Sequence, residues 1–130
     1  MKRLNNDGYI ALITVLIVSA VCLTSVLVIL VTGADNQQFS LTLKNSDQSL
    51  GLAEACTEEA LQQYHDSSSF TGSGNLTLGL GTCSYTVTST GVSTRTVDAS
   101  ATVNGVVKKI RVYATISGSS ISVTSWQEVP

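Results

Sequence analysis

Residues 9–31 read YIALITVLIVSAVCLTSVLVILV, 23 residues with no charge and no proline, in which Thr14, Ser19, Thr24 and Ser25 are the polar positions. As one helix rising about 1.5 Å per residue the run reaches roughly 35 Å, enough for a hydrocarbon core of about 30 Å. A secretory h-region covers only about 7 to 15 residues, so length favours a retained span over a discarded signal. The four hydroxyls are compatible with insertion, because Ser and Thr in such helices bond back to a preceding carbonyl or across to another helix.

Charge sets the expected orientation. Lys2 and Arg3 precede the run, and the first charge after it is Asp35. Basic flanks stay in the cytoplasm, with Asp7 opposing them weakly, so the expectation is a single-pass protein with a cytoplasmic N-terminus and an exported C-terminal domain.

The junction Asp7-Gly8-Tyr9-Ile10-Ala11-Leu12-Ile13 resembles the processing site of type IV prepilins. In that family a short basic leader ends in glycine, a membrane peptidase cuts after it, and the new N-terminal aromatic is N-methylated. Here Gly8 matches the residue before the cut and Tyr9 the methylated aromatic. The resemblance implies membrane lipid, other pilin subunits, the prepilin peptidase and the assembly machinery as partners, with an extracellular filament as the destination. One departure is informative. Major pilins usually carry glutamate as the fifth mature residue, where this chain has Ile13, and that carboxylate is thought to pair with a neighbour's terminal amine, since an unpaired buried charge is costly. The usual late helix-kinking proline is also absent. Both features resemble PilX-type minor pilins and tip pseudopilins, which implies a subunit that initiates assembly or sits at the tip.

Composition narrows the alternatives. From Tyr9 onward the chain carries five positive and eight negative charges, a net charge of −3, which argues against nucleic acid as a primary partner. Cys22 falls within the apolar run, while Cys56 and Cys83 fall in the exported part. Two thiols in an oxidising space suggest one disulfide closing a loop of 27 residues. Two unrelated buried thiols are the plainer alternative. A metal pair lacks a second ligand at zinc spacing.

Beyond the apolar run, residues 32–66 read as an amphipathic continuation of the helix. Phe39, Leu43, Leu50, Ala53, Thr57, Ala60 and Tyr64 recur at intervals built of threes and fours, with Glu54, Glu58 and Gln62 on another side. A break or bend would fall near residues 32–36 or at Gly51. Residues 67–75, SSSFTGSGN, read as a loop. From residue 76 to 130 the period becomes two. Leu76, Leu78 and Leu80 alternate with polar or small residues, as do Cys83, Tyr85 and Val87, and then Val97, Ala99, Ala101 and Val103. Asn104-Gly105 is a strong hairpin signal, Gly118 marks another turn, and a last strand ends near Trp126. The expected fold class is α+β: a long N-terminal helix on a small antiparallel meander sheet, which is also the pilin layout.

Candidate sites are few. His65, the lone histidine, sits at the expected helix end, where the dipole accounts for it. Ser67, Ser68 and Ser69 read as turn chemistry. No catalytic, cofactor-binding or metal-ligating constellation appears among the known motifs, so the expectation is a non-enzyme without cofactor. Lys109, Arg111 and Tyr113 share the wet face of one strand and, with Trp126, form the possible partner surface. The two cations either touch an anionic partner or discourage edge pairing. The alternative function is a small β-rich binding or adhesion protein, lipid-anchored at Cys22 or secreted after cleavage following Thr32-Gly33-Ala34.

Overall fold

The computed structural model describes residues 6–130, with side chains from Gly8 onward. The leader charges Lys2 and Arg3 lie outside the described residues. The elements are α1 (Asn6–Asp66), β1 (Gly72–Leu78), β2 (Gly81–Ser89), β3 (Thr94–Val103), β4 (Val106–Ser117) and β5 (Ser120–Val129). The architecture is α+β, one long helix followed by a five-stranded antiparallel meander in the order β1-β2-β3-β4-β5. The chain forms two compact units that divide within α1, after Ser40.

In the first unit α1 is long and apolar enough to cross a membrane. Its large aliphatic side chains over residues 9–31 are mostly exposed. The serine and threonine hydroxyls of the run are satisfied inside the helix: Thr14 donates to Ala11 O, Ser19 to Leu16 O, and both Thr24 and Ser25 to Val21 O, at 2.8 to 2.9 Å. Back-bonding of this kind removes most of the desolvation cost of burying a hydroxyl in hydrocarbon. The helix is continuous through residues 32–36 and through Gly51. A single glycine costs only about 1 kcal/mol relative to alanine, and without a proline no hydrogen bond of the ladder is lost.

In the second unit one side of the helix is buried against the sheet. Ser49, Ala53, Cys56, Thr57, Ala60 and Tyr64 are all fully buried, and Ala53, Cys56 and Ala60 join Leu52 against Cys83, Tyr85, Val87, Val97, Ala99, Ala101, Val103, Ile110 and Val112. Glu54, Glu58 and Gln62 point to solvent as their spacing predicts. Phe39 and Leu43, expected on the sheet-facing stripe, are instead exposed. For Leu43 the reason is that the sheet ends two residues later, where Asn104 Nδ2 donates to Asn45 Oδ1 at 3.2 Å. While Leu50 is only half-buried, Ser49, which was not among the residues expected on the stripe, is fully buried. Its hydroxyl lies 3.0 Å from Ala101 O and 2.9 Å from Val106 O, so a buried polar group ties the helix to two strands.

Two strand boundaries depart from expectation. Residues 72–75, read as loop because of their glycines, pair with residues 84–87 of β2. Gly74 lies opposite Tyr85, and a Cβ there would stand 2.5 Å from the tyrosine ring, so the glycine makes room for an aromatic and does not mark a turn. Leu80, read as continuing the alternation of Leu76 and Leu78, sits in the two-residue turn Gly79-Leu80 and is 87% exposed. Gly79, at φ 59, begins that turn. The Asn104-Gly105 hairpin has both central residues at positive φ, 49 and 82, the combination a type I′ turn requires.

Because Ala53 is fully buried with the sheet directly beneath it, Ala53→Leu should lower stability by about 1 to 3 kcal/mol through overpacking. Ala55→Leu, half-buried on the same helix, should cost less. Thermal unfolding of the two variants in detergent checks the order.

Candidate functional site

Gly8 and Tyr9, the expected processing junction, lie in the opening turns of α1. A Cβ added at Gly8 would meet nothing within 4 Å, and Tyr9 is exposed, so packing places no demand on either residue.

The disulfide forms between Cys56 and Cys83, with the two Cα atoms 6.3 Å apart and both residues buried. It joins the middle of the sheet-facing stripe of α1 to β2 and stands over the core cluster. Cys22 is a free thiol on the exposed surface of the apolar helix.

A second fastening was not anticipated. Arg95 is 7% exposed, and its guanidinium is held at 3.0 to 3.2 Å by Ser89 Oγ, Gly91 O, Thr94 O and Ser68 O. It also stands over the Tyr64 ring at 5.5 Å, while the Tyr64 hydroxyl donates to Ser93 O at 2.7 Å. The cation thus gathers the β2–β3 loop and the chain leaving α1, where the helix dipole is negative. Arg95 occupies the same strand phase as Val97, Ala99, Ala101 and Val103, which was the signal that its side chain would be buried. Its charge directed attention to the surface instead.

Of the expected partner surface, Lys109, Arg111 and Tyr113 do share one face of β4, on the solvent side of the sheet. Trp126 does not join them. It pairs with Val112, which is fully buried, so Trp126 lies on the helix-side face of β5, where it stays 42% exposed. A register shift between Tyr113 and Ala114 adds one residue to β5 and fixes this placement. Lys108 is likewise on the helix-side face, paired with Glu128. The basic cluster of the sequence is therefore divided between the two faces.

Arg111 Nε donates to Asp98 Oδ1 at 2.6 Å across β3 and β4. That bond, with the charge of Asp98 and a smaller contribution from Tyr113, holds the guanidinium above its ordinary value. With its pKa raised in the folded state, Arg111 stays charged and its pair with Asp98 persists throughout the range in which the protein is handled. Lys109 Nζ donates to Pro130 O at 3.5 Å.

His65 Nδ1 lies 3.5 Å from Asp66 Oδ1, both exposed. Ser67 and Ser69 face each other at 3.4 Å, and Phe70 N donates to Ser67 O, which closes a turn. Among the described residues no group of three His, Cys, Asp or Glu side chains could hold a metal ion. Comparison with protein families, curated proteins and solved structures found no match for this chain.

Reduction of Cys56–Cys83, or Cys83→Ser, should lower stability by about 3 to 4 kcal/mol on the chain-entropy account of a 27-residue loop, read as a fall in Tm. Arg95→Ala removes a buried side chain from the Tyr64 ring and from Ser68 O and Gly91 O and should cost about 1 to 3 kcal/mol. Arg111→Ala, at an exposed pair, should leave Tm within error.

Proposed function

We propose that the chain is a minor pilin or pseudopilin, a structural subunit of a type IV pilus-like filament. It is held by residues 9–31 in the membrane, released from its leader after Gly8, and carried into the filament by the same helix. The observation that carries this reading is the uncharged apolar surface of α1, beginning directly after Gly8, with its serine and threonine hydroxyls satisfied internally. In lipid such a surface is at no disadvantage, and outside lipid it needs other helices to cover it. Ile13 in place of the usual glutamate leaves this subunit without a carboxylate for a preceding subunit's amine, which suits a first or tip position. The disulfide and the Arg95 latch support a head that keeps its shape outside the cell.

The chemistry of maturation is done to this chain by a peptidase and a methyltransferase, and its own contribution is packing. The mass of the N-terminal peptide from membrane and surface fractions tests this. N-methyl-Tyr9 at the front is the expected result, with Gly8→Leu retaining residues 1–8. A diacylated Cys22 would show a lipoprotein instead, and a chain starting at Asp35 would show simple secretion. A subunit confined to the tip should be labelled only at the ends of shed filaments, and an even label along the shaft would remove that position.

A further inference from the structure

A sheet of five strands, each antiparallel to the next, ends in two strands that run in the same direction, here β1 and β5. Their outer edges are open: among the described residues no backbone hydrogen bond beyond the sheet's own ladders engages either strand. Edge strands are ordinarily guarded by charge, proline or irregularity. β1 contains no charged residue, and neither strand contains lysine, arginine or proline. Glu128 is the one charge in β5, and it is paired with Lys108. The guard present is the register shift between Tyr113 and Ala114, which leaves residues 125–129 in regular pairing.

Both edges are apolar on the helix-side face and incompletely covered by α1. Leu78, opposite Gly81, is 51% exposed and borders an apolar depression of about 490 Å³ with Gly51, Leu52, Ala55 and Val103. At the other edge Val123 is 44% and Trp126 42% exposed.

We propose that β5 of one copy of this chain docks beside β1 of a second copy, as parallel neighbours in one continued sheet. Symmetry selects this arrangement. An antiparallel pair of two β5 strands, or of two β1 strands, turns the second sheet end for end, and with it the part of α1 that lies on it. Two chains held in one membrane, the reading proposed above on which this step rests, would then have to leave it in opposite directions. A parallel pair of like strands keeps the direction but turns the second sheet over, so that the apolar residues of the two copies stand on opposite faces. β5 beside β1 in parallel keeps both: each α1 points the same way, and Val123 and Trp126 meet the Leu78 edge on the same face. Backbone bonds of strand addition supply affinity, and the apolar side chains supply selection. A strand from a different protein would meet the same backbone, but this chain carries both complementary edges itself. A contact between unlike edges leaves one edge of each end copy free, so association continues past the dimer unless a ring closes.

Full-length protein in excess detergent micelles, sized by light scattering after gel filtration, tests the proposal. The double variant Leu78→Lys/Trp126→Lys gives the level of association that belongs to α1. Above that level wild type is expected to form species larger than dimers. Leu78→Lys and Trp126→Lys should each weaken association about tenfold when alone, because each keeps one edge and lacks its complement. Mixed in equal amounts, they should form one-to-one dimers and nothing larger, the Trp126 edge of the first on the Leu78 edge of the second. Val92→Lys makes the same kind of change at a fully exposed loop position and should leave association within twofold of wild type. Thr77→Lys and Gln127→Lys, on the exposed face of the same two strands, repeat the block with the apolar side chains intact, and unchanged Tm establishes that the variants are folded. The proposal is overturned if wild type associates no more than the double variant, if either single variant associates alone as wild type does, or if the mixture forms no dimer. Because the assay reads the sheet edges, its failure leaves the filament reading standing, and a chain starting at Asp35 would remove the shared membrane without altering what the mixture reports.

Discussion

Burial of one side of α1 against the sheet is the constraint from which the second unit follows. Ser49, Leu52, Ala53, Cys56, Thr57, Ala60 and Tyr64 are the buried positions of the helix, most of them small. On that side Cys56 is bonded to Cys83 and the Ser49 hydroxyl reaches strand carbonyls. Small residues give up apolar area, and the disulfide together with the Arg95 cage offsets that loss in a domain with few large side chains to bury. Gly81 follows the same logic, since a Cβ there would stand 2.6 Å from Leu52 and 2.7 Å from Val103.

The sheet has two chemically different faces because one is covered by α1 and the other is left to solvent. The helix does not reach all five strands. On its side, β5 keeps Val123 and Trp126 partly exposed, beside the Lys108–Glu128 pair. On the opposite side, threonine and serine predominate. Threonine suits a strand by its branching, but serine does not, so strand propensity alone does not account for the hydroxyl rows.

α1 meets two kinds of surroundings along one continuous ladder of hydrogen bonds. Over residues 9–31 its serines and threonines are satisfied internally and its outward surface is mostly hydrocarbon, which is what a lipid or a neighbouring helix accepts. Over residues 49–64 it buries one side against the sheet and turns Glu54, Glu58 and Gln62 to solvent. A helix can change its environment in this way because its backbone is satisfied independently of what lies outside it.

By itself the sequence determined the long apolar run, the hydroxyl positions within it, the alternation of the strands, the Asn104-Gly105 hairpin and the two cysteines available for a bond. These are local properties, set by 3.6- and 2-residue periods and by turn geometry. Tertiary structure alone decided that Gly74 makes room for Tyr85, that Leu80 belongs to a turn, that Arg95 is caged over Tyr64, and that Trp126 stands across the sheet from Tyr113. The physical reason is that each depends on a partner distant in sequence: one extra residue in β5 reverses the face of every side chain beyond it, and no local pattern records which neighbour will be there to receive it.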